Sequence, residues 1–564
     1  MTDIRTTLKV AVAEVLAELG VLDAVFSVEH PTELSHGDYA TNAALAAAKT
    51  LGANPRELAE SIAAHLRARK IPQVAAIDIA GPGFINIHLS RDFFANAVAR
   101  ATAEGERWGW NGALAGEQVL IEYTSPNLFK PLHIGNLVGN IIGESLTRLA
   151  EASGADVKRL NYPSDIGLTV AKGVWGLRET GGNPDDITAL GEAYRFGNDA
   201  YEAGGEAKEA IEAVNRALYA GTDAVLSELR SRGIATSRAR LTELCRMLGT
   251  TFDAEIFESE AGPIGTRIVR EHLADRIFEE SEGAVIFTGE RHGLHTRVFL
   301  NAQGLPTYEA KDLGNFMLKQ ERYPHWTQSI VVTGREQLEY FRVIIAAIRE
   351  VFVEARDRVV EHVPTGFLTL TTGKMSSRKG NVLTGESLIT EVSERAAARI
   401  AAGRTDNAPL LVEQVAIAAI KYQILRSGVG TDIVFDKERA LSFEGDSGPY
   451  LQYTYARTRS ILEKATREGV SSSVAHPAPS VPVVEQLLYR FPEEVERALA
   501  ERAPHYVATY LIELAGAFNA WYAAEKIVDV ADEYSPYRVV LTEAVGQTLK
   551  NGLWCLGIAA PERM

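Results

Sequence analysis

The sequence predicts a multidomain α/β protein, with a parallel-sheet α/β core between an α+β N-terminal domain and an all-α C-terminal domain. Three observations carry this expectation. Strand-like and helix-like runs alternate from Gln118 to about Phe352, the pattern of a parallel sheet with helices on both faces. Before that region, helical patterns end in an alternating hairpin, and after about Glu386 almost every stretch reads as helix. At 564 residues the chain is also too long for one core and fits about three or four domains.

Residues 1 to about 105 form the first unit. Helical patterns over Thr6–Leu19, Tyr39–Lys49 and Pro55–Arg69 precede "VAAIDIAGPGFINIHLS". Alternation in Ile77-Asp78-Ile79 and in Ile85-Asn86-Ile87-His88-Leu89 predicts a hairpin, with Gly81-Pro82-Gly83 as its turn. In the core, "QVLIEY" reads as a buried strand and "NLVGNIIGESLTRLAEASG" as a helix that stops near Gly154. "ADVKRLNYPSD" adds a strand, "GLPTYEAKDLGNFMLKQ" a turn and helix, and "QSIVVTGREQLEYFRVIIAAIREVF" strand, turn and helix. Roughly Asp185 to Gly249 is polar and helical, as an insertion would be. A Ser/Pro/Val-rich loop, "EGVSSSVAHPAPSVPVVEQ", interrupts the C-terminal helices. The expected divisions are 1–108, 109–385 with the insertion at 185–249, and 386–564.

Composition narrows the function classes. The chain is 46% hydrophobic and 23% charged, and no apolar run reaches the length of a membrane span. The acidic amphipathic start, "MTDIRTTLKVAVAEVLAELG", lacks the basic head and apolar centre of an export signal. The two cysteines, Cys245 and Cys555, show no pairing pattern, which fits a reducing cytosol and argues against a structural zinc site. The net charge of −16 is unfavourable for nucleic-acid binding but leaves room for a local basic face.

Two short stretches carry chemistry. In "SPNLFKPLHIGNLVGN", His133 and Gly135 fall at a strand-to-helix junction, where unpaired N–H groups and a partial positive charge suit a phosphate. His133 and Asn136, three apart, share one helical face. About 240 residues later, "TTGKMSSRKGNVLT" sets cations and hydroxyls between glycines, as a loop that closes on polyphosphate would. Each stretch alone also reads as an ordinary turn.

Together, in this order and spacing, they resemble the two ATP motifs of class I aminoacyl-tRNA synthetases, whose catalytic domain is Rossmann-type. "HGDYATNAALAAAKTLGANPRELAESIA" and "GPGFINIHLS" resemble the N-terminal domain particular to the arginyl-tRNA synthetases. "IEYTSPNLFKPLHIGN", "FDAEIFESE", "EGAVIF", "LPTYEAKDLG" and "VVTGREQ" resemble that family's catalytic blocks. "GPYLQYTYARTRSIL" and "LKNGLWCLGIAAPERM" resemble its anticodon-binding domain. Three positions depart from the family pattern. Asn136 ends the first motif in place of histidine. Arg378 replaces the second lysine of the second motif, keeping the charge and adding a fork. "NYPSDIG" replaces a Gly-Asp-Trp-Gly block while retaining Asp165 and Gly167.

The resemblance implies an arginine–tRNA ligase that uses ATP with Mg²⁺ as substrate, without a tightly bound cofactor or protein-held metal. It implies tRNA(Arg) and L-arginine as partners, and a cytoplasmic monomer. It also implies that arginine activation needs tRNA. His133, Asn136, Lys374 and Arg378 are the expected catalytic residues. ATP would meet Lys130, His133, Gly135, Asn136, Lys374, Ser376 and Ser377. A guanidinium calls for carboxylates in fork geometry, and the resemblance places Glu258 and Asp312 there. Tyr308 stands four residues before Asp312, Gln337 completes the wall, and Glu122 and Asn127 face the α-amino and carboxylate end. From spacing alone Asp312 reads as a helix-start acid favoured by the dipole. Glu258 is distinguished from Glu255 and Glu260 only by the resemblance. Tyr450, Tyr453, Tyr455, Arg457 and Arg459 suit stacking and pairing with exposed RNA bases, while a helix core would use the same tyrosines. Two rivals stand beside this expectation: a lysyl-type class I enzyme, against which the N-terminal blocks argue, and a tRNA-binding protein that kept the fold without catalysis.

Overall fold

A computed structural model describes residues 4–371, 384–400 and 408–564. The chain divides into two compact units, one of Met1–Trp108 with Thr458–Phe491 and Leu514–Thr548, the other of Gly109–Arg457 with Pro492–Glu513 and Leu549–Met564.

The first unit is built on an antiparallel sheet of order β1-β2-β4-β3, with β1 Val28–Glu29, β2 Tyr39–Thr41, β3 Val74–Ala80 and β4 Phe84–Leu89. The expected hairpin is present, with Ile77 opposite Ile87 and Ala80 opposite Phe84. Helices α1 (Ile4–Glu18), α2 (Ala43–Leu51), α3 (Pro55–Ala68) and α4 (Arg91–Glu104) belong to the same unit. One expectation fails. Tyr39–Thr41, predicted as the start of a helix, is a strand against β4, with Tyr39 opposite Ile87 and both Tyr39 and Thr41 buried. Sheet pairing overrides the helical pattern of the alanine-rich run that follows.

The second unit holds a five-stranded, wholly parallel sheet of order β12-β11-β5-β6-β7. Its strands are β5 Gln118–Glu122, β6 Asp156–Asn161, β7 Ala254–Glu255, β11 Gln328–Gly334 and β12 Val359–Thr365. From β5 the chain winds to β6 and β7 on one side, then returns to β11 and β12 on the other. The direction therefore reverses between β5 and β11, the position at which such sheets open a crevice at the carboxyl ends of their strands. Helix α5 (Ile134–Ala152) follows β5. It lies close to the sheet because Gly139 and Gly143 carry no side chain: a Cβ on Gly139 would stand 3.6 Å from the Val332 carbonyl, and one on Gly143 would overlap Tyr123.

Helices α6 (Leu168–Thr180), α7 (Ile187–Ala203), α8 (Gly205–Ala220) and α9 (Ala224–Met247) come next, the last three falling in the polar stretch read as helical from the sequence. Then α10 (Glu258–Glu271) crosses α11 (Tyr308–Arg322), and α12 (Leu338–Val351) follows β11. A Cβ on Gly265 would overlap the Ala310 carbonyl, and one on Gly314 would overlap that of Ala261. Gly314→Val is therefore expected to force α10 and α11 apart, costing about 1–3 kcal/mol for the overpacking. Thermal unfolding together with the KM for arginine would check it, since both helices start at the site described below.

Some elements escaped the sequence reading. β8 Glu279–Ser281, β9 Ala284–Phe287 and β10 Arg297–Leu300 form a small antiparallel sheet. β14, Ile433–Phe435, pairs in parallel with β13, Leu368–Leu370. The stretch after Glu386, expected to be almost all helix, includes one strand, and beyond Phe435 every regular element is helical among the described residues.

Candidate active site

At the switch point a cavity of about 580 Å³ opens at the ends of β5 and β11. It brings together ten of the predicted residues: Lys130, His133, Gly135 and Asn136 from the first motif, and Glu122, Asn127, Glu258, Tyr308, Asp312 and Gln337. Three helices, α5, α10 and α11, begin at its wall, His133 capping the first while Glu258 and Tyr308 open the other two.

The first motif is held under backbone strain. After β5, Thr124, Ser125 and Phe129 all have positive φ, of 76°, 38° and 67°. Such residues persist only where their surroundings fix them. The Phe129 ring is buried between Gly173 of α6 and Gly233 of α9, and the Phe129 N–H donates to Ser237 Oγ at 3.1 Å. The loop also pairs with the one after β6, where Leu128 N–H meets the Ser164 carbonyl and Ser164 N–H meets that of Pro126, both at 3.0 Å.

His133 is the N-cap of α5, its Nδ1 accepting from Gly135 N–H at 3.1 Å. Because a backbone N–H can only donate, a neutral ring must carry its proton on Nε2. Burial, and secondly Lys130, lowers the pKa of His133 below the ordinary histidine value, so the ring is neutral at pH 7. Asn136 Nδ2 donates to the Thr124 carbonyl at 2.7 Å, which leaves one amide hydrogen and Oδ1 for a phosphate.

Lys374, Ser376, Ser377 and Arg378 lie outside the described residues. The described residues just after them return to the first motif. Gly385 N–H donates to the Leu132 carbonyl at 2.8 Å, and Thr384 makes an antiparallel bridge with His133.

The other half of the cavity is acidic, and its charges are unevenly paired. Glu122, buried at the end of β5, accepts from Lys319 Nζ at 2.7 Å and Asn315 Nδ2 at 2.8 Å, both on the same oxygen. Glu258, also buried, accepts from Lys311 Nζ at 2.5 Å. The carboxylate beside it holds the Lys311 ammonium above its ordinary pKa, against the opposing effect of burial. Asp312 differs from both: its carboxylate accepts from the Tyr340 hydroxyl at 2.6 Å and has no ion pair among the described residues. Burial pushes its pKa up to about 7, against the pull of the Tyr340 hydrogen bond. Glu122 and Glu258 thus each have a lysine partner, and among the described residues Asp312 is the carboxylate of the three left without one.

Sequence reasoning missed Lys311, Lys319, Tyr162, Glu336 and Tyr340. One signal was available for the lysines. Lys311, Asn315 and Lys319 recur every four residues on α11 and are all buried, a polar stripe on a face that should otherwise be apolar. Of the proposed RNA contacts, Tyr453 is exposed, with the Arg457 guanidinium 4.9 Å from its ring centre, whereas Tyr455 is buried in the helix core. Tyr450, Tyr453 and Arg457 do not line the cavity. Asp165 is structural: its carboxylate takes Ser259 N–H at 2.9 Å, Ser259 Oγ at 2.6 Å and Arg230 Nη2 at 2.6 Å, fixing the start of α10 beside Glu258.

Three family models match the chain. Residues 105–437 match the catalytic domain described as tRNA synthetases class I (R). Residues 3–89 match the arginyl tRNA synthetase N terminal domain, and residues 451–564 the DALR anticodon binding domain. The chain is 30% identical over 567 residues to an arginine–tRNA ligase of Limosilactobacillus reuteri, covering 98% of each. It is 28% identical over 584 residues to one of Treponema denticola, again covering 98% of each. Among solved structures, the arginyl-tRNA synthetase of Thermus thermophilus superposes with a TM-score of 0.81 at 26% identity over 100% of both chains. The arginyl-tRNA synthetase of Plasmodium falciparum shares the fold, with a TM-score of 0.82 at 20% identity, over 100% of this chain and 99% of that one.

Proposed function

Because the chain belongs to the arginyl-tRNA synthetase family, with a class I catalytic domain, we infer that it is an arginine–tRNA ligase working at this cavity. The observation that carries the assignment of the amino acid is Asp312, a carboxylate without an ion-pair partner among the described residues, beside two glutamates that each have a lysine. A guanidinium supplies one fixed positive charge and donors in a plane, which match a carboxylate in a fork. Tyr308 stands at the mouth, Gln337 forms part of the wall, and Glu122 and Asn127 take the α-amino and carboxylate end. Glu258 contributes the oxygen that Lys311 does not occupy.

The chemistry follows in two steps. The carboxylate of arginine attacks the α-phosphorus of ATP, the bond to pyrophosphate breaks, and arginyl-adenylate forms. A ribose hydroxyl of the 3′-terminal adenosine of tRNA then attacks the arginyl carbonyl, and AMP leaves. The protein's work is placement and charge stabilisation. His133 Nε2–H, the start of α5 and Lys130 meet the phosphates, and Gly135 leaves room for the nucleotide. Asn136 serves by tying α5 to Thr124 and through its remaining amide hydrogen. Lys374, Ser376, Ser377 and Arg378 would close on the phosphates from the other side. Magnesium enters with ATP as part of the substrate.

Exposed Tyr453, with Arg457 and Tyr450, is our candidate contact to tRNA(Arg). The functional divisions remain 1–108, 109–385 and 386–564, in a monomer acting in the cytoplasm. The test is aminoacylation of total tRNA with each amino acid in turn, with tRNA present throughout because the family resemblance implies that activation needs it. Arginine alone should be attached. Attachment of lysine in preference to arginine would overturn the assignment, and no attachment of any amino acid would favour a tRNA-binding protein without catalysis.

A further inference from the structure

We propose that the Tyr162 hydroxyl is a substrate contact in this cavity, accepting a hydrogen bond from the guanidinium of arginine; the proposal rests on the arginine reading above. Tyr162 directly follows β6, and its ring packs against Ile256, Ala261 and Leu318 while lining the cavity. Its hydroxyl oxygen is buried and has no hydrogen-bond partner among the described residues. A buried hydroxyl in that condition is unfavourable and calls for an explanation. The second tyrosine hydroxyl set beside the acids, on Tyr340, is already committed to Asp312.

The strongest charges acting on the Tyr162 hydroxyl, after burial itself, are carboxylates: Asp312, Glu258, Glu122 and Asp165 in descending order. They hold the phenol protonated, and they favour an orientation with its hydrogen toward an acid and its lone pairs toward whatever cation enters. A guanidinium has five N–H donors. A fork with Asp312 uses two, so at least one more is available to a neutral acceptor set among the same acids. Nothing among the described residues uses this oxygen, and the ligand the cavity suits supplies what it lacks. The free enzyme therefore carries an unpaired hydroxyl that arginine completes.

Tyr162→Phe in the full-length protein tests this, because it removes only the oxygen. Two readouts separate a substrate contact from a structural role: the thermal midpoint with and without saturating arginine, and the KM values for arginine and ATP in aminoacylation. The variant's midpoint without arginine should equal or exceed that of wild type, since an unsatisfied polar atom has gone. Its arginine-induced rise should be smaller. Its KM for arginine should increase on the order of 10- to 100-fold, the range for one hydrogen bond to a charged partner, with the KM for ATP unchanged. An unchanged KM for arginine would overturn the inference, whether the midpoint held or fell; a fall would assign the hydroxyl to a partner within the protein. A wild-type enzyme that neither gains stability from arginine nor charges tRNA with it would instead overturn the arginine reading, and this inference with it.

Discussion

Asp312→Asn should raise the KM for arginine by about 30- to 5,000-fold, with near-normal use of ATP, because truncating one partner of a buried, hydrogen-bonded charge pair costs about 2–5 kcal/mol. The substitution keeps size and shape and leaves the Tyr340 hydroxyl an acceptor. Discrimination against lysine and citrulline should fall as well, since a bidentate carboxylate is what separates a guanidinium from an ammonium or a neutral urea. Steady-state kinetics with arginine and ATP varied separately checks it. Glu258→Gln should behave differently in one respect. It leaves the Lys311 ammonium stranded in a dry site, so it should lower the thermal midpoint of the free protein in addition to weakening arginine use. Asp312 has no such cationic partner among the described residues, and its replacement should leave the midpoint unchanged or raised.

The same residue sets a pH dependence. In the free cavity burial holds the Asp312 pKa up to about 7, while binding a guanidinium needs the charged form. Below pH 7 arginine must therefore displace a proton, and its apparent affinity should fall as the pH falls, approaching tenfold per unit. Above pH 7 the carboxylate is already ionised and the dependence from this group should vanish. Tyr340 stays protonated throughout this range, and the dependence described is the one expected from Asp312, the carboxylate whose only hydrogen-bond partner among the described residues is that hydroxyl.

The second large effect is expected at His133. His133→Ala should slow adenylate formation by about 10²–10³, the loss typical of one preorganised donor to developing charge, with little change in arginine affinity. Because His133 also caps α5, part of such a loss could come from the helix end, where caps are worth roughly 1 kcal/mol. His133→Asn separates the two roles. Asparagine restores the cap but carries no donor where Nε2–H lies, so it should be nearly as slow as the alanine variant. Recovery of wild-type rate by His133→Asn, in single-turnover measurements, would assign the residue to the cap alone.

The parallel core was legible because its strands are short apolar runs between clear helices: "QVLIEY" and "QSIVVTG" could hardly be anything else. Tyr39–Thr41 was not, because its strand character comes from pairing with β4, a partner more than forty residues away. The β8–β10 sheet was hidden for a related reason, its strands being three or four residues long and largely not buried. At the site, the junction at His133 could be read from local chemistry, since a helix start is local. The acidic wall could not. Only the family resemblance singled out Glu258 among three neighbouring glutamates, and no spacing reveals that Lys311 and Lys319 engage Glu258 and Glu122 and leave Asp312 over. That pattern of pairing depends on how α10 and α11 cross at Gly265 and Gly314, a matter of packing between distant segments.

The central claim, that this cavity takes arginine with its guanidinium on Asp312, is tested most directly by calorimetric titration of arginine into wild type and Asp312→Asn at pH 7, in two buffers of different ionisation enthalpy. The account predicts that wild type binds arginine with release of about half a proton, as expected for a group half-titrated at that pH, and that it binds citrulline far more weakly. The variant should bind arginine poorly and release no proton. Equal binding of arginine by both proteins, with the same proton count, would contradict the account and return Asp312 to the position of an ordinary helix-start acid.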